Sequence, residues 1–130
     1  MMQDFFIIFN EEDDDDREIA LHIGERLQSR GLQEYVAHPG KTDLATVSEG
    51  ITQSSKVVLL LSSNAITCGW WKMKVHMALM NNFDTEKLIP IWLPDFEEAL
   101  NPVELQTLHY ICYEDNDIFW SKLIASCSFQ

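Results

Sequence analysis

Six consecutive carboxylates, Glu11-Glu12-Asp13-Asp14-Asp15-Asp16, form the densest block of ionisable side chains in this 130-residue sequence. Hard divalent cations take carboxylate ligands, but the central glycine of a calcium-binding loop is missing. The run reads as a solvated face, and no metal is assigned to it. Paired acids early in a chain also suit a phosphoacceptor domain, which needs an Asp closing its third strand and a Lys after its fifth. Those places read Leu61-Ser62-Ser63 and Tyr113-Glu114-Asp115, so phosphoryl transfer loses both its acceptor and its charge partner. His22, His76 and His109 have no nucleophile nearby in sequence, and Ser62-Ser63 lacks the GxSxG elbow of a serine hydrolase. Cys68, Cys112 and Cys127 are odd in number and widely spaced, giving neither a zinc pattern nor a disulfide framework. They are expected to be small buried or half-buried thiols in a reducing setting. No glycine-rich phosphate loop is present, and six carboxylates would repel a phosphate placed after the first strand. No catalytic residue and no cofactor is assigned.

These residues are carried by a regular alternation of elements. Phe5-Phe6-Ile7-Ile8-Phe9 is too short for a helix and apolar on both sides, which predicts a strand buried on both faces. Behind it Ile19, Ala20, Ile23 and Leu27 recur at helical spacing; acids at that helix's start suit its dipole, and Gly31 is its stop. A weaker strand is expected over 33–37. After the loop His38-Pro39-Gly40-Lys41-Thr42, Asp43 caps a helix carrying Leu44, Val47 and Ile51. The clearest strand covers 56–61, and a helix covers 70–80. A strand over 87–93 contains Pro90, which suits an edge or a bulge. An acidic segment over 95–108 leads to a fifth strand over 109–113 and a last amphipathic helix over 118–127. Strand and helix in alternation predict a flavodoxin-like α/β single domain over 1–130, with a five-stranded parallel sheet and helices on both faces.

Composition narrows the function classes. With 46% hydrophobic and 23% charged residues the chain is globular in character. Its net charge of −12 argues against free nucleic acid and anionic membrane surfaces. No apolar run reaches the 18 residues of a membrane span, and Met-Met-Gln-Asp lacks the basic start of a signal peptide, so a cytoplasmic setting is expected. The charge is uneven. Residues 1–18 hold eight acids and one base, 84–117 hold nine acids and one base, and the block between them holds four acids and six bases.

Taken in order, these landmarks resemble the TIR (Toll/interleukin-1 receptor) domain family. Asp4-Phe5-Phe6-Ile7-Ile8-Phe9 is similar to the family's first box, and Pro39-Gly40 to the end of its second, the loop before the second helix. The stretch from Ile51 to Ser62 resembles its helix-to-third-strand segment. Trp70-Trp71 resembles the Trp-Cys pair opening the third helix, Leu88-Ile89-Pro90-Ile91 the fourth strand, and Phe119-Trp120 the short third box. Two departures accompany the matches. Tyr35-Val36 stand where TIR loops usually carry Arg-Asp. Lys74 stands three residues after the Trp pair, where TIR enzymes that cleave NAD carry a glutamate. Breaking the nicotinamide bond builds positive charge on the ribose, which a carboxylate stabilises and an ammonium opposes.

The resemblance is therefore to the non-enzymatic adaptor and receptor branch, and implies a signalling domain of innate immunity that binds other TIR domains or itself. The expected contact residues are His38, Pro39, Gly40, Lys41 and Thr42 on the loop, with Trp70, Trp71, Lys72 and Lys74 on the helix beginning at Trp70. Two adjacent tryptophans on a helix do not share a face, so one is expected in the core and the other at an interface. Lys41, Lys72 and Lys74 would meet the acidic segment 95–104 of a neighbour, head to tail. The chain is expected to be a fragment of a longer multidomain protein. Two alternatives stand: an NAD glycohydrolase with a relocated acid, for which Asp84 and Glu86 are nearest in sequence, and a nucleotide-sensing module without turnover.

Overall fold

The computed structural model describes residues 2–36, 44–81, 87–102 and 105–128. The elements run β1 (Gln3–Ile8), α1 (Asp14–Gln28), α2 (Leu44–Thr52), β2 (Ser54–Leu61), α3 (Gly69–Asn81), β3 (Leu88–Trp92), β4 (Ile111–Cys112) and α4 (Asp117–Ser128), with short 3-10 turns at Ala65–Thr67 and Glu98–Leu100. The four strands form one parallel sheet in the order β1-β2-β3-β4.

Strand alternation sorts the apolar residues into two cores. Phe5 and Ile7 of β1 join Val58 and Leu60 of β2 on one face, covered by Ala20, Ile23 and Leu27 of α1 and by Phe119, Trp120 and Leu123 of α4. Phe6 and Ile8 join Val57, Leu59 and Leu61 on the other, covered by Val47 and Ile51 of α2 and by Trp71, Val75 and Ala78 of α3. Helices on both faces of a parallel sheet are the expected flavodoxin-like arrangement. Two glycines shape the edges of these layers. Gly31, at φ +84°, takes the left-handed turn that ends α1. Gly50 lets α2 approach β1 so closely that a Cβ there would lie 2.9 Å from the Phe6 and Tyr35 rings.

Three strand expectations change. Among the described residues, the segment expected over 33–37 pairs with β1 only through a parallel bridge between Glu34 and Phe5, so the sheet there has four strands rather than five. That segment is also held by side chains: the Asp4 carboxylate accepts from the Gln33 N–H at 2.7 Å, and the Glu34 carboxylate accepts from the Gln28 amide at 3.0 Å. The expected strand over 109–113 shortens to Ile111–Cys112. Pro90 lies in an internal strand, opposite Leu59 of β2, not at the sheet's edge. Its position still respects proline's missing N–H, because β4 pairs with β3 only from Ile91 onward. The cysteines are all free: Cys127 is buried, Cys68 half-buried and Cys112 exposed. Burial pushes the Cys127 thiol up to about 12, which makes it inert.

Candidate functional site

The loops after the carboxyl ends of the strands hold the binding surfaces of such folds, and here the acidic run occupies that place. It is not a solvated face throughout. Asp13 is the N-cap of α1, its carboxylate accepting from the backbone N–H of Asp15 and Asp16 at 2.9 and 3.1 Å. Asp14, Asp15 and Asp16 fill the first turn, where the helix dipole favours negative charge. Asp16 is only 3% exposed. The stripe Asp16, Ala20, Ile23 and Leu27 explains why: extended back one turn, the apolar face of α1 lands on an acid.

That acid meets the end of β2. Ser62, itself fully buried, donates its hydroxyl to the Asp16 carboxylate at 2.5 Å and accepts from the Ala65 N–H at 3.1 Å. Ser63 donates to the Asp95 carbonyl oxygen, and Asn64 donates its amide to the Asp13 carboxylate. Three successive residues after β2 are thus each tied to a different neighbour. Asp13, Asp15, Asp16, Glu18 and Asp95 line a cleft of about 350 Å³ beside them. Burial, reinforced by the charges of Asp13, Asp95 and Asp15 and opposed by the Ser62 hydrogen bond, raises the Asp16 carboxyl to about 6. Asp13 moves the other way, held below the carboxylate range chiefly by the Asn64 amide. Among the described residues, no group of three or more His, Cys, Asp or Glu is arranged to hold a metal ion.

The other end of the acidic run meets α3. Lys74 is 3% exposed, and its ammonium donates to the Phe9 carbonyl at 3.0 Å and to the Glu11 carboxylate at 3.4 Å. The same Nζ lies 5.9 Å from the Phe9 ring centroid. Burial lowers the Lys74 pKa, while the Glu11 charge opposes that shift. Lys74 belongs to the buried stripe Trp71, Lys74, Val75 and Ala78, a spacing that places it on the inward face of α3.

The expected contact residues therefore separate. Trp71 is core, at 1% exposure, and Lys74 is engaged inside the chain; neither presents a side chain to a partner, because both lie on the stripe that packs on the sheet. Lys72 is exposed. His38, Pro39, Gly40, Lys41 and Thr42 lie outside the described residues, as do Asp84, Glu86 and the side chain of Trp70. Asp16, Ser62 and the Glu11–Lys74 pair were missed as a unit by motif reading. Their signal was a polar residue falling on the apolar stripe of a helix.

Comparison with known proteins places the fold. The chain overlays the TIR-STING receptor of C. gigas, solved in complex with 2',3'-cGAMP, with a TM-score of 0.83 and 24% identity over 98% of this chain and 40% of that one. It thus spans 40% of the length of that receptor. It overlays the TIR domain of the Toll-related receptor TRR-2 of Hydra magnipapillata with a TM-score of 0.79 and 20% identity, covering 98% of this chain and all of that one. A prokaryotic SEFIR domain follows at 0.71 and 20% identity, covering 96% and 98%. A search of curated proteins gives no match. A family model described as TIR domain matches residues 5–124, and the chain belongs to the TIR domain family.

Proposed function

We propose that this domain is a non-catalytic interaction module of innate-immune signalling that works in the cytoplasm, associating with other TIR domains or with copies of itself. The observation that carries the non-catalytic reading is Lys74. At the place where NAD-cleaving relatives would carry a glutamate, this chain has a buried ammonium already bound to the Phe9 carbonyl and the Glu11 carboxylate. A positive charge there opposes an oxocarbenium-like transition state. The likeness to two receptor TIR domains supports a signalling role, and 2',3'-cGAMP in the C. gigas structure belongs to a receptor much longer than this chain.

The contact surfaces proposed are the loop at Pro39-Gly40 and the α3 surface at Trp70 and Lys72, docked head to tail on the acidic segment 95–104 of a neighbour. Lys74 drops out of that set because it is engaged within its own chain. Light scattering and sedimentation at rising concentration test the proposal: the wild type should associate, and Pro39→His or Lys72→Glu should prevent it while leaving the circular dichroism spectrum intact. Association that neither substitution weakens would sink the assignment of these surfaces. The second test is incubation with NAD and detection of free nicotinamide, expected to show none. Glu11 is the described carboxylate at Lys74, so steady release that Glu11→Gln abolishes would overturn the non-catalytic reading.

A further inference from the structure

A second cavity, about 490 Å³, is walled by Trp71, Lys72, His76 and Leu79 of α3 and by Leu100 and Pro102 of the segment after β3. Its volume falls in the range of small-molecule sites, which combine apolar walls with a few convergent polar groups. Here Trp71, Leu79, Leu100 and Pro102 give the apolar surface. Lys72 and His76, four apart on α3, share one helical face and supply the polar groups. In a chain of net charge −12, none of the described residues walling this cavity is an acid. Lysine offers only donors, and imidazole offers at least one N–H in either neutral tautomer. Two buried polar atoms add to the pattern: Trp71 Nε1 and Asn101 Oδ1, the latter between Leu100 and Pro102 in sequence, have no hydrogen-bond partner among the described residues. A buried indole N–H is ordinarily paired, and Trp71 is part of the cavity wall.

We infer that this cavity binds a small amphipathic anion, an apolar ring-sized body carrying one carboxylate, sulfonate or phosphate. The body lies against Trp71, Leu79, Leu100 and Pro102, and the anionic group is held by Lys72 and His76. Lys72 sets the ligand's sign: among the described residues the cleft at Asp16 is lined by five acids and no base, whereas this cavity has one lysine and no acid. The cavity borders both surfaces proposed for TIR–TIR association, Lys72 on α3 and Leu100 and Pro102 within segment 95–104, so ligand binding and association are measured separately.

The test uses two fluorescent probes of like shape, 1-anilinonaphthalene-8-sulfonate and the uncharged N-phenyl-1-naphthylamine, titrated into the whole domain. The sulfonate should bind saturably at one site per chain and lose tenfold or more in affinity in Lys72→Glu, with no comparable loss for the uncharged probe. Lys122→Glu, an identical charge change at an exposed residue of α4 outside the cavity, should leave both probes unaffected. Leu100→Glu, at a residue 41% exposed, should weaken both. Near-UV circular dichroism confirms each fold, and sedimentation of the same solutions reports association separately. Sulfonate binding that does not saturate, or that is unchanged in both Lys72→Glu and Leu100→Glu, would overturn the inference.

Discussion

The two ends of the acidic run receive opposite treatment. Glu11, at one end, faces a buried ammonium; Asp16, five residues on, is buried against a neutral hydroxyl in a cleft of further acids. At the first end, charge is matched by charge and by the Phe9 carbonyl, so a lysine survives almost fully out of water. At the second, the direct relief among the described residues is the Ser62 hydrogen bond, and the carboxyl responds by holding its proton up to about pH 6. Burial pushes both groups toward their neutral forms, but the Glu11 charge opposes that shift at Lys74, whereas the neighbouring acids reinforce it at Asp16.

The strongest way to break this comparison is to make the first end resemble the second. Lys74→Glu removes the counter-ion and sets a buried carboxylate against Glu11 and the Phe9 carbonyl. A loss of about 3–5 kcal/mol is expected from urea denaturation, and Lys74→Met, which keeps the volume without a charge, should lose clearly less. A Lys74→Met variant as stable as the wild type would show that the ion pair carries no weight.

The next step neutralises the second end. The Asp16 carboxyl is raised by folding, so its contribution to stability is complete below the ordinary carboxylate range and is lost as pH rises through about 6. Asp16→Asn keeps an acceptor for Ser62 and removes the charge. It should stabilise the domain at pH 7.5 by about 2 kcal/mol and flatten the pH dependence between 4 and 7. Wild-type stability that rises with pH in that window, with the slope unchanged in the variant, would contradict the assignment.

The smallest effect sits between the two ends. Asp13→Ala removes both the α1 cap and the acceptor of the Asn64 amide, and about 1 kcal/mol should be lost in thermal unfolding. Asp14→Ala, at an exposed residue whose partner is the exposed Arg17, should cost less than half as much.

Much of the fold was legible because it is written in apolar periodicity. The runs Phe5 to Phe9 and Val57 to Leu61, and the helical spacing of Ile19, Ala20, Ile23 and Leu27, located β1, β2 and α1 and their buried faces. Less legible were elements whose formation depends on neighbours: Glu34 touches the sheet at a single bridge, and β4 keeps two residues. Local pattern does not say how far a ladder extends. The candidate site was only half legible. Lys74 was found by its offset from Trp70-Trp71, but its burial was not, since a lysine normally reads as surface. Asp16 was hidden in a run whose composition signals solvent. Both were recoverable from the helical stripe, where a polar residue among Trp71, Val75 and Ala78, or before Ala20, Ile23 and Leu27, has nowhere to point but inward.

The parallel pairing of β1 with β2 sets Gln3 opposite Ser54, and this separation has a consequence for synthesis. At roughly 5–20 residues per second, the partner of β1 follows it off the ribosome by about 3–10 s. Through that interval Phe5-Phe6-Ile7-Ile8-Phe9, five strand-forming apolar residues, has no β2 to pair with, and such a segment is prone to join others of its kind. The six carboxylates that follow directly give every nascent copy the same negative charge at the exposed strand's end. Before they cap a helix or meet a lysine, they act as gatekeepers against premature pairing between chains.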